Sequence, residues 1–232
     1  MPTKRTMQQA KGNRGQRTTD NGGRGFDSLE ANLTGQRGRP TQPYGRIRNL
    51  PIGLSERVRA ASINSLNQIL ADTIMVRELY KKNHWQVTGP TFYALHLLFD
   101  KHYNEQVVLA DTLAERVQIL GGVSVAAPHD VVQLTKVERP PRDAEELPVQ
   151  LSRLLEAHEI ILETAHQAVR RATDDGDDGT ADLLIGQVIR THEMQVWFVG
   201  AHLSDVPLLH AEQPTEMVGE RMAPRGRGRV EA

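Results

Sequence analysis

The chain has 232 residues, 38% of them hydrophobic, with no Cys and a net charge of −1. That length suits one domain of ordinary size with residues left over for tails. The lack of Cys excludes disulfides, zinc ribbons and Cys nucleophiles and fits a reducing cytosol, and no apolar run reaches the ~18–20 residues that span a bilayer.

The near-neutral total hides an asymmetry. Residues 1–48 carry ten Lys/Arg against three Asp/Glu, residues 211–232 carry four of each sign, and the middle is therefore at −8. An acidic body with a basic arm suggests cations for the body and a polyanion for the arm. The arm is rich in Gly, Arg, Gln, Thr and Asn, with Arg-Gly pairs at Arg14-Gly15, Arg24-Gly25 and Arg37-Gly38. Such a segment buries too little apolar area to offset its chain entropy, so residues 1–48 and 211–232 are expected to be disordered. Its basic N-terminus is not followed by an apolar run of the secretory kind, so a cytoplasmic location is expected.

The segment between the tails, residues 49–210, reads as helices. Ser55 suits an N-cap, and Val58, Ala61, Leu66, Ile69, Leu70, Ile74 and Leu79 recur at helical spacing. This first helix should end before Thr88-Gly89-Pro90. Pro90 suits the first turn of a second helix, which meets no breaker before Gly121-Gly122. A long connection, 122–142, holds a short helix near Asp130–Val137. A third helix is expected from about Asp143 to Thr173 and a fourth from about Thr180 to Leu203. Strand signals are absent. Four long helices with one long middle connection describe an all-α, ferritin-like four-helix bundle.

The chemistry lies on the second helix. His96 and Asp100 are four apart, Asp111 and Glu115 are four apart, and eleven residues separate the pairs, so all four share one stripe. Imidazole with carboxylate suits Fe(II), Zn(II) or Mn(II). Eleven residues rise roughly 16 Å, whereas ligands sit ~2.0–2.2 Å from such a metal, so no single ion uses both pairs of one chain. Either each pair is a weak half-site, or an antiparallel copy across a two-fold axis near Glu105–Gln106 brings unlike pairs together. A di-iron site inside one bundle would need Glu-x-x-His on two helices. Only Glu163-Thr164-Ala165-His166 matches, because His192-Glu193 is followed by Val196 at the required place.

The run from Asn83-His84-Trp85 through Thr88-Gly89-Pro90 to His96, followed by Asp100, Asp111 and Glu115-Arg116, resembles the signature of the Dps family over about residues 55–205. The resemblance implies a hollow dodecamer with ferroxidase sites at its two-fold interfaces. His84, His96 and Asp100 would come from one subunit, and Asp111 and Glu115 from its neighbour. It further implies Fe(II) oxidation, commonly with hydrogen peroxide and otherwise with oxygen, retention of ferric mineral, and protection of DNA. Trp85 looks like the family Trp near the site. Leu97 and Leu98 stand where many relatives place a cavity-facing carboxylate. Asp178 and Asp182, four apart, match aspartates that family members place at a three-fold inlet for iron; their plainer reading is a solvated cap.

Other readings stand beside this one. A lone His on a helix is usually structural, and His102, His129, His158, His202 and His210 are read so, while His166 and His192 stay open as accessory metal sites. Trp197 reads as a core or interface anchor. The arm could merely solubilise, or it could bind DNA through counterion release, multiplied over many copies. A nucleoid-associated, non-specific DNA-binding protein with the shell as scaffold is therefore a competing function. A membrane- or receptor-binding bundle is disfavoured, since nothing in that role needs the His/Asp/Glu stripe.

Overall fold

A computed structural model describes residues 34–204; residues 1–33 and 205–232, on which most of the arm and the whole C-terminal tail fall, lie outside the described residues. The chain divides into two units, Met1–Gln42 and Pro43–Ala232. In the first, residues 34–42 form no helix or strand. The second is all-helical among its described residues, as a ferritin-like bundle requires.

Helix α1 spans Glu56–Gln86, and Ser55 Oγ accepts the Val58 N–H at 3.3 Å as its cap. Its core face carries Leu66, Ile69, Leu70, Val76 and Tyr80, all but sealed from solvent. Helix α2 spans Phe92–Ile119. It begins two residues after Pro90, because a turn in which Phe92 N–H donates to Gly89 O (3.1 Å) occupies the expected first turn. It ends where Gly121 turns left-handed (φ 86°), with Gly121 N–H on Gln118 O and Gly122 N–H on Val117 O, both at 2.9 Å. A Cβ at Gly121 would collide with the Arg48 carbonyl oxygen. That carbonyl belongs to a segment which composition groups with the arm, yet Arg48 N–H donates to Gly121 O (2.9 Å) and buried Arg59 donates to Arg48 O (2.6 Å).

The long connection carries α3, Pro128–Leu134. Polar residues of α1 hold it in place. Asn67 donates to Val123 O and accepts from Val125 N–H, and Asp72 Oδ1 accepts from Thr135 Oγ1 (2.8 Å) and Lys136 N–H (2.6 Å). Helix α4, Leu147–Asp175, has Pro148 in its first turn and starts four residues later than expected. Gly176 (φ 76°) ends it. Helix α5, Asp178–Leu183, follows at once. Its N-cap is Asp177, which is 1% exposed and accepts from Ser62, Thr180 and Arg116 at 2.6–2.7 Å. These bonds hold its carboxyl below the usual range although burial pushes it up. The fourth rod then widens into a π-helical turn, Leu184–Ile189, and continues as α6, Arg190–Ala201. α1 packs on α2 and α4, and α4 on the α5–α6 rod. Leu70, Phe99, Leu113, Leu154, Ile161, Leu184 and Val188 lie in one shared core.

Candidate metal centre

His84 lies in the last turn of α1 and His96 near the start of α2. The two residues are linked reciprocally. His84 Nδ1 is 2.8 Å from His96 O, and His96 Nδ1 is 2.9 Å from His84 O. A carbonyl oxygen only accepts, so each Nδ1 carries a proton, and the neutral form of each ring has its lone pair at Nε2. The rings stack with centroids 3.7 Å apart and planes at 19°, and the Phe92 ring lies 5.2 Å from that of His96. Backbone carbonyls thus fix the tautomer and orientation in which imidazole ligates a metal.

Asp100 follows one turn after His96. Lys81 Nζ donates to its Oδ1 at 2.6 Å and also lies 4.7 Å above the Tyr103 ring. The Lys81 hydrogen bond, helped by the positive fields of Lys81, His84 and His96, holds the Asp100 carboxyl below its ordinary range against slight desolvation. Lys81 carries no signal of its own in the sequence reading, although three residues separate it from His84 and place it on the same helical face.

Asp111 and Glu115 lie further along α2, exposed. Among the described residues of one chain, no three His, Asp or Glu side chains converge as a metal-holding group. The chain therefore pairs His84 with His96, holds Asp100 one turn further on against Lys81, and leaves Asp111 and Glu115 at the far end of the stripe. Half-way between, Val107 and Val108 are exposed on α2. Trp85, beside the first histidine, is 72% exposed, and so is half of Leu97.

The remaining candidates divide. Asp178 and Asp182 are exposed on α5. Glu163 and His166 are exposed on α4, whereas His192 is buried in the bundle, so the two histidines left open as accessory sites occupy different surroundings. His192 instead meets His158, Nδ1 to Nδ1 at 2.7 Å. Of the residues read as structural, His102 and His158 are fully buried, whereas His129 and His202 are exposed.

The ferritin-like domain family matches residues 63–209. A protein encoded in the bpoA2 5′ region of Kitasatospora aureofaciens, itself uncharacterized, is 51% identical over 59% of this chain and 91% of its own length. The DNA protection during starvation protein of Agrobacterium fabrum is 30% identical over 66% of this chain and 93% of its own. Among solved structures, DpsC from Streptomyces coelicolor superposes with a TM-score of 0.73 at 53% identity, covering 74% of this chain and 100% of that one. The helical order, the long crossover and these likenesses in sequence and fold agree: the chain belongs to the Dps family of ferritin-like proteins.

Proposed function

We propose that this protein is a ferroxidase and iron store whose sites are completed by a second copy of the chain. The observation that carries the proposal is the stapled histidine pair, which leaves both Nε2 atoms unused, has Asp100 one turn further on, and finds no complete metal-holding group among the described residues. Fe(II) is the substrate. It would take His84 and His96 through Nε2 and displace Lys81 from Asp100; the partner's Asp111 and the partner's Glu115 would close the shell of ligands. Val107 and Val108, exposed midway along the stripe, support an isologous contact there, since a two-fold axis passes through a self-complementary patch. The same donors suit Zn(II) or Mn(II), which would compete. Hydrogen peroxide is the proposed oxidant, ahead of oxygen, and the ferric product would be held inside a hollow homododecamer. Asp178 and Asp182 would line the route by which Fe(II) enters. Removing iron and peroxide together would protect DNA, in keeping with the name of the Agrobacterium relative.

The test uses two variants. His96→Ala and Asp111→Ala each remove one ligand and should each lower the rate of fast Fe(II) oxidation by ~10–100-fold while the protein stays helical. Shells assembled from a mixture of the two should regain activity, because half the sites at a mixed two-fold contact receive both intact halves. A lack of complementation in shells verified as mixed would mean that each half-site works alone.

A second reading adds DNA as a ligand of the arm, residues 1–48, and with it a nucleoid location. The charge asymmetry between arm and body favours it.

A further inference from the structure

The bundle interior holds a polar chain that iron binding does not use. Tyr80 is 0% exposed, as are His158 and His192. Tyr80 Oη lies 2.5 Å from His158 Nε2, and His158 Nδ1 lies 2.7 Å from His192 Nδ1. The chain has one consistent direction. A phenol donates to Nε2, so neutral His158 carries its proton on Nδ1 and donates it to His192 Nδ1. His192 is then protonated at Nε2, and that atom has no hydrogen-bond partner among the described residues. Burial holds His158 well below the usual imidazole range and His192 down to about 3, so both are neutral bases. Burial also raises the Tyr80 phenol, which keeps its proton while the ring keeps its electrons.

The location matters as much as the bonding. Tyr80 precedes His84 by one helical turn on α1. Its ring packs 6.0 Å from that of Phe99, the residue before Asp100. Tyr80 thus lies in the core one turn before His84 and packs against the residue that precedes Asp100. Tyr44 and Tyr93, by contrast, are 61% and 72% exposed. A hydroxyl buried on a neutral imidazole loses an electron far more readily than one in apolar surroundings, because its proton has somewhere to go in the same step.

We infer that Tyr80, with His158 and His192 as its proton acceptors, is a reversible one-electron donor to the iron site. This inference rests on the iron-oxidation reading above. Hydrogen peroxide takes two electrons and two protons as its O–O bond breaks to give two waters. A site holding one Fe(II) supplies one electron, and a second must come from elsewhere if hydroxyl radical is not to escape. Tyr80 supplies it and becomes a phenoxyl radical. Its proton moves to His158 Nε2, and the Nδ1 proton of His158 moves to His192 Nδ1, leaving the positive charge on His192. Two solvent protons complete the waters. A later Fe(II) reduces the radical, the two protons shift back, and the sum is two Fe(II) oxidised per peroxide.

The experiment uses full-length protein loaded anaerobically with one Fe(II) per proposed site. It is mixed with an equivalent of peroxide and followed by ferric absorbance and by electron paramagnetic resonance. The wild type should give a tyrosyl signal that narrows in protein grown on ring-deuterated tyrosine, which requires no substitution. The signal should be lost in Tyr80→Phe and should decay faster in His158→Gln, and Tyr80→Phe should release more hydroxyl radical to a spin trap. Complete ferric absorbance in the wild type with no tyrosyl signal, or the same signal in Tyr80→Phe, overturns the inference and leaves iron oxidation standing. Absence of ferric absorbance in the wild type overturns the iron reading, and the inference falls with it.

Discussion

The ammonium of Lys81 sits 2.6 Å from Asp100 Oδ1, on the carboxylate that the proposed iron site would use. Both side chains are partly exposed, so the pair contributes little to folding. Its effect falls on binding, because a cation entering the half-site competes with one already there. Replacing Lys81 by Gln leaves the two imidazoles as they are and frees Asp100. We expect affinity for Zn(II), a probe without redox chemistry, to rise by ~10-fold at neutral pH in a calorimetric titration. Unchanged or weaker binding would show that Lys81 is not a competitor. The His96/Asp100 pair was legible from spacing alone, since positions four apart on a helix share a face, whereas His84, on the preceding helix, came only through the family resemblance. Lys81 was not legible, because one more Lys on a charged surface has no signature until the carboxylate opposite it is placed.

The start of α1 and the end of α2 were also legible, for a local reason, whereas the start of α4 lies four residues later than expected. Ser55 caps α1 through its own hydroxyl, and Gly121 ends α2 in a left-handed turn closed by local bonds from Gly121 to Gln118 and from Gly122 to Val117. The pairing of His158 with His192 was not, because it joins residues on two helices brought together only by the finished core. The π-helical turn at Leu184–Ile189 was hidden too, since a slip in hydrogen bonding by one residue leaves the apolar pattern nearly intact. The buried pair does predict how the bundle answers acid. His192 titrates at about 3 in the folded chain and His158 is also depressed, against ~6.5 for an unfolded His. As pH falls below ~6.5 the unfolded chain gains protons first, so stability is full above that value and declines toward the folded value near 3. Each histidine adds up to ~1.4 kcal/mol per pH unit to the slope. Melting temperature should be flat above pH ~7 and fall steadily between ~6.5 and ~4, and His192→Asn should flatten that fall. An equal slope in wild type and variant would locate the acid sensitivity in other groups.

At the scale of the molecule, the exposed apolar side chains ask for neighbours. Trp85 and Trp197 are 72% and 71% exposed and Val108 is 61% exposed, more than one small helical protein usually leaves in water. Light scattering should give about 310 kDa, twelve chains of 25.9 kDa. A stable monomer that still oxidises Fe(II) quickly would end the shared-site account. The arm is tested separately. The body is acidic and should repel phosphate, so duplex binding must come from residues 1–48, at +7 per chain. Protein lacking them should shift DNA far less, and binding by the full chain should weaken steeply between ~50 and ~200 mM salt. Equal binding with and without the arm would remove it from the account. The reciprocal link between His84 and His96 has a further consequence, for the order in which the protein folds. It joins residues twelve apart in sequence, across the short loop between the first two helices. Contacts that close short loops form early, before pairings that must wait for a crossover. The α1–α2 hairpin, carrying His84, His96 and Asp100, is therefore expected to form early, while the last helix of a growing chain is still being synthesised. Half of the metal centre would then exist before the monomer is complete, and the other half would arrive only with a second chain.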